Sequence, residues 1–165
     1  MKIVLLIAIF VTFTSLGVYI YMHYRNRRRF FSDMLSFLAG FQIELNFSKN
    51  IISQVIERNH KNYSKHFRDV LTGYGNLIEG KCDITKDSLS SIMWNRLKPH
   101  ESSAVTHFFY ELGRHSVSEE IEKIASATAL FNSMHAEACE KQKREASIYL
   151  KLCIILGLVT VILLI

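Results

Sequence analysis

Hydrophobic and polar positions divide the chain into three stretches. Ile3–Met22 is a run of 20 residues without a charge, IVLLIAIFVTFTSLGVYIYM. At about 1.5 Å per residue, a helix of that length reaches roughly 30 Å, the thickness of a bilayer's hydrocarbon core. A cleaved signal peptide has a shorter apolar region, about 7–15 residues, that ends in small residues. This run ends instead in Tyr19, Tyr21, His23 and Tyr24, an aromatic edge suited to lipid headgroups. An uncleaved anchor is expected. At the other end, Leu152–Ile165 has 14 residues without a charge, and extension to Ile148 makes 18, with Lys151 able to snorkel. This segment is apolar on every face rather than along one stripe, so it reads as a second span and not as a core helix.

Between these ends the apolar positions fall at spacings of three and four. Phe31, Met34, Leu35, Leu38, Phe41 and Leu45 form one face of a helix that no proline separates from the first span. Ile51, Ile52, Val55 and Ile56 predict a short second helix. A third is expected over about Tyr63–Ile78 with Phe67, Val70, Leu71 and Tyr74 inward, and Gly73, Gly75 and Gly80 loosen the chain. Asp83 or Thr85 would cap a fourth carrying Leu89, Ile92, Met93 and Trp94, terminated by Pro99. A fifth, through Val105, Phe108, Phe109 and Leu112, would end at Gly113. Ser116 and Glu119 form a capping box for the last helix, in which Ile121, Ile124, Thr128, Phe131, His135 and Ala138 recur without a breaker. That helix would run about 47 residues. No run alternates as a strand does. The predicted fold is all-α, a cytoplasmic bundle of about six helices over residues 25–147 between transmembrane helices at 1–24 and 148–165.

Charge orients this arrangement. Arg25, Arg27, Arg28 and Arg29 follow the first run, with only Lys2 before it, and Lys141, Lys143, Arg144 and Lys151 lead into the second. Both flanks assign the middle segment to the cytoplasm by the positive-inside rule, and these eight cations are expected to face anionic lipid. The net charge of +5 therefore belongs to the membrane flanks. Between Phe30 and Cys139 stand 11 basic and 13 acidic residues, 11 − 13 = −2, so no basic stripe remains for nucleic acid. Lys61, Lys65 and Arg68, with His60 and His66, make one locally basic tip, a candidate docking site for an acidic face of a partner.

Catalytic signatures are not found. Cys82, Cys139 and Cys153 are odd in number and share no C-x-x-C spacing, which argues against a disulfide framework or a zinc site. Histidines stand at positions 23, 60, 66, 100, 107, 115 and 135, without H-E-x-x-H and with none four residues from another. They read as helix-face and boundary residues, His135 being the one expected to be buried. Walker A and G-x-S-x-G are missing. Glu119, Glu120 and Glu122 are accounted for by the dipole of the helix they open. The chain is expected to be no enzyme and to hold no cofactor or metal.

Two stretches carry a family resemblance. Phe31–Ile56, FSDMLSFLAGFQIELNFSKNIISQVI, is similar to the early helix-turn-helix of the stage III sporulation protein AB family, with Ile43 and Ser48 in matching places. Phe109–Ile124, FYELGRHSVSEEIEKI, resembles the family's F-G-x-x-L-G-x-S-D-x-x-x-Q-x-x-x-I stretch through Leu112, Gly113 and Ile124. Departures occur: Phe109 stands for a glycine, Ser116 for an aspartate, Glu120 for a glutamine, Gln42 for a glutamate and Lys49 for a proline. The resemblance implies a mother-cell membrane component of the channel apparatus between mother cell and forespore. It implies a cytoplasmic domain similar to that of the inner-membrane F protein of type II secretion and type IV pilus machines. In that setting a separate secretion-type ATPase supplies the energy and this chain is a non-enzymatic platform between it and other sporulation channel subunits; homo-oligomerisation is left open. The alternative is a small two-span membrane regulator or sensor whose helical domain binds a soluble cytoplasmic partner.

Overall fold

A computed structural model describes residues 2–47, 63–80 and 84–164. Among the described residues the chain is helical, without strands. The helices are α1 (Lys2–Phe47), α2 (Lys65–Glu79), α3 (Lys86–Ile92), α4 (Pro99–Glu111), α5 (Val117–Lys141) and α6 (Ser147–Leu164). A π-helical turn, Gln142–Ala146, joins α5 to α6, so that Val117–Leu164 is helical over 48 residues. The all-α expectation holds. The short helix expected around residues 49–58, with Ile51, Ile52, Val55 and Ile56 as its apolar positions, lies outside the described residues. Contacts divide the chain into two compact units, Met1–Arg28 with Ala136–Ile165, and Arg29–His135.

In the first unit the two apolar helices pair in opposite directions. A Cβ built on Gly17 would lie 3.0 Å from Cys153 Cβ, and one on Gly157 would lie 3.2 Å from Phe10 Cδ2 and from Phe13 Cβ. Small residues that let helices approach closely are the usual basis of association in lipid, where hydrophobic burial gives no drive. The outward faces carry Val4, Leu5, Ile7, Ile162 and Leu163, the last 80% exposed. Only 6% of each helix's apolar window is buried, whereas the core helix of a soluble protein would be mostly buried. Thr12, Thr14 and Thr160 turn their hydroxyls back onto the carbonyls of Ala8, Phe10 and Leu156 at 2.7, 2.9 and 2.8 Å. Each polar group is thereby satisfied within its own helix, as a lipid environment requires.

The second unit is built around aromatic rings. Phe30 and Phe37 of α1 meet Phe67 of α2 at centroid distances of 5.4 and 6.0 Å, and Phe37 meets Phe109 of α4 at 6.1 Å. Tyr74 meets Phe109 at 4.9 Å, and Phe31 and Phe108 both reach Phe131 of α5. Edge-on and offset geometries like these add to the area such rings bury. The predicted inward set of α2, Phe67, Val70, Leu71 and Tyr74, is buried in full. On α1 the buried face is wider than predicted: Phe30 and Phe37 join Phe31, Met34, Leu38 and Phe41, while Leu35 and Leu45 are half-buried.

Caps and breaks follow local chemistry, with three corrections. Thr85 caps α3 by accepting from Ser88 N at 3.2 Å, and Ser88 Oγ accepts from Thr85 N in return; Asp83 lies outside the described residues. α3 ends at Ile92, and Pro99 terminates nothing: it is the first residue of α4, where a missing N–H costs no bond. Gly73 does not loosen the chain either. It lies within α2, where a Cβ would stand 3.1 Å from Ile92 Cβ, so it lets α2 approach α3. The third correction is the π turn, which interrupts the regularity of the last helix without any glycine or proline.

Candidate functional site

Where the two apolar helices meet their basic flanks, the first unit holds a polar cluster. Arg27, 4% exposed, places Nη2 3.5 Å from Glu137 Oε1, and Lys141 Nζ reaches the same oxygen at 3.2 Å. Tyr24 donates to Glu145 Oε2 at 2.8 Å, and the Gln142 amide donates to Tyr21 Oη at 3.5 Å. Within the π turn, Gln142 and Ala146 are both buried. Of the eight cations expected to face lipid, Arg27 is therefore a correction: it points inward to a carboxylate. Arg144 pairs with Glu140 at 2.9 Å on the exposed side. Arg25 and Arg28 are half-buried, and Arg29, Lys143 and Lys151 are exposed.

The second unit gives the family-matching positions their physical roles. Leu112 is buried and closes α4 in an extended conformation, and Gly113 follows at φ 80°, a left-handed conformation that side chains resist. Ile124 is fully buried in the core. The turn is fastened from the start of α5: Gly113 N donates to Glu120 Oε1 at 3.0 Å, and Ser116 N donates to Glu119 Oε2 at 3.2 Å. Glu120 is thus more than a dipole residue. It is 5% exposed, and its Oε2 has no hydrogen-bond partner. Burial, with the Glu120 charge adding to it, pushes the Tyr74 hydroxyl up to about 12. Ile43 is 59% exposed, and Ser48 lies outside the described residues.

Of the predicted basic tip, Lys65 is exposed and Arg68 half-buried on α2, while Lys61 lies outside the described residues. α2 is tied to α1 at its start, where Ser64 N donates to Asp33 Oδ2 at 2.8 Å. Histidines among the described residues take packing and surface roles. His66 stacks on Trp94 at 4.5 Å, His115 lies 3.0 Å from Glu111, and His135 is half-buried where Met134 takes the inward position.

A family model described as stage III sporulation protein AB matches residues 2–165, nearly the whole chain. The chain belongs to that family. No curated protein and no solved structure matches it. The stage III sporulation protein AB family is not a known enzyme family. Its membership and the two apolar terminal helices fit a two-span membrane protein. Sequence reasoning reached this family through the layout of the chain, through Ile43 and Ser48, and through Leu112, Gly113 and Ile124, of which the structure shows Leu112 and Gly113 in one turn and Ile124 buried in the core. It missed Glu120 and the π turn, for which only the family's glutamine in place of Glu120 offered a signal.

Proposed function

We propose that the chain is a non-enzymatic membrane platform in a secretion-like sporulation channel between mother cell and forespore. Its helical domain lies in the mother-cell cytoplasm and couples a separate secretion-type ATPase to the other channel subunits in the membrane. The observation that carries this reading is the family match over residues 2–165. Two features support it. The apolar helices pack against each other through Gly17 and Gly157 and leave their outer faces for lipid. The domain between them has an interlocked aromatic core, suited to transmitting a load without catalysis. Lys65 and Arg68 on α2, with Lys61, are the residues we assign to ATPase docking, where charge speeds encounter more than it sets affinity. Recovery of a tagged full-length chain from membranes of sporulating cells tests the reading. A secretion-type ATPase should accompany it, and less should be recovered at low salt when Lys61, Lys65 and Arg68 are reversed to glutamate. A membrane-inserted chain recovered without any such ATPase would contradict it.

A further inference from the structure

Each apolar helix of the first unit carries an exposed apolar stripe that ends at a cation. On α1, Val11, Val18, Met22 and Arg25 stand seven, four and three residues apart, which sets them on one face. Val11, Val18 and Met22 are exposed. On α6, Lys151, Ile155, Leu158 and Ile162 follow at spacings of four, three and four, and all four are exposed. The two cations stand at the same end of the helix pair. Tyr24, next to Arg25, donates to Glu145 Oε2 at 2.8 Å, which brings that part of α1 level with the π turn. Lys151 lies less than two turns beyond Glu145, about 9 Å along the helix. Side chains lean toward the N-terminus of their helix, so the Lys151 stem runs back toward the level of Arg25.

Ion pairing sorts the cations at this end. Arg27 and Lys141 hold Glu137, and Arg144 holds Glu140. Arg25, Arg28 and Lys151 form no ion pair among the described residues. Arg28 follows Arg25 by three residues, which makes their side chains neighbours on α1. Cations at the end of a lipid-facing stripe call for an anion that is joined to apolar chains. A soluble anion would leave the stripes unused, and so would an acidic protein surface. We propose that each stripe seats a phospholipid with a net negative headgroup, its acyl chains along the stripe and its phosphate at Arg25 and Arg28 on α1, or at Lys151 on α6. A zwitterionic headgroup brings its own cation, which offsets the attraction, so the seats select anionic lipid. The inference goes beyond the platform reading and needs only that the two helices lie in lipid.

Native mass spectrometry of the full-length chain tests it, from micelles doped with equal amounts of phosphatidylglycerol and phosphatidylcholine of the same acyl chains. The chain should retain phosphatidylglycerol in preference. Arg25→Gln and Lys151→Gln should each lower the ratio of the two retained lipids about fivefold, whereas Arg25→Lys should keep it. Lys151 is exposed, so its variant keeps the fold. Arg144→Gln removes the same charge from a cation already held by Glu140, and it should leave the ratio nearly unchanged. Equal retention of both lipids by the parent chain would overturn the proposal. A loss in Arg144→Gln as large as in the other two would also overturn it, because the attraction would then be diffuse. Displacement of the lipid by inorganic phosphate would do the same, by assigning the cations to a free anion. A ratio unchanged by Arg25→Gln or by Lys151→Gln would overturn the seat to which that residue belongs.

Discussion

Replacing Gly157 by leucine should loosen the paired apolar helices. A Cβ at this position already lies 3.2 Å from Phe10 Cδ2 and Phe13 Cβ, so alanine asks its neighbours to yield a few tenths of an ångström. Leucine brings three more carbons into the same space, and overpacking of this kind costs about 1–3 kcal/mol. That energy lowers the ratio of paired to separated helices by about 5- to 150-fold. A disulfide can report the pairing. Cysteine in place of Gly17 would set its Cβ 3.0 Å from Cys153 Cβ, and a shift of about half an ångström reaches the usual 3.5–4.5 Å span. With Cys82 and Cys139 replaced by serine, mild oxidation in native membranes should close the bridge within one chain. Gly157→Ala should change the rate little and Gly157→Leu should slow it about fivefold or more. An undiminished rate in the leucine variant, or bridges formed only between chains, would refute the packing described for Gly17 and Gly157.

Polar groups supply three more tests. Glu137→Ala leaves buried Arg27 without the carboxylate it shares with Lys141; thermal unfolding of the full chain in detergent should register a loss of about 1–3 kcal/mol, tempered by the partial exposure of Glu137. Glu120→Gln keeps an acceptor for Gly113 N and removes a buried charge, so it should be at least as stable as the parent in the same assay, whereas Glu120→Ala should lose about 1–2 kcal/mol. The Glu111 carboxyl is pulled down from 4.5 to about 2, first by the hydrogen bond from Lys123 and then by that from His115. Because the folded value lies below the unfolded one, its contribution to stability is present above about pH 4.5 and fades as pH falls toward 2. Acid unfolding of Glu111→Gln should show a shallower loss across that window than the parent.

Much of the fold was legible because helical periodicity carries it. The inward set of α2 could be read in full since one face of that helix is buried and the other is wet. On α1 the stripe was read too narrow: rings from α2, α4 and α5 surround it, so Phe30 and Phe37 bury as deeply as the residues at ideal spacing. Pro99 was ambiguous because proline suits both the residue after one helix and the first residue of the next. The π turn has no residue signature, because Gln142–Ala146 contains ordinary helix formers. Arg27 could not be told from Arg25, Arg28 and Arg29 by composition. Its inward direction depends on the position of Glu137, more than a hundred residues away in the chain. Glu120 was hidden in the same manner among Glu119 and Glu122, and only the turn at Gly113 distinguishes it.

The central claim, two spans holding one helical domain on the cytoplasmic face, is tested most directly by side-specific labelling. Single cysteines at Lys2 and at Ser118, in a chain with Cys82, Cys139 and Cys153 replaced by serine, are exposed to a membrane-impermeant maleimide on intact cells. The account predicts labelling of position 2 from outside and labelling of position 118 only after the membrane is permeabilised. Labelling of position 118 on intact cells would contradict it.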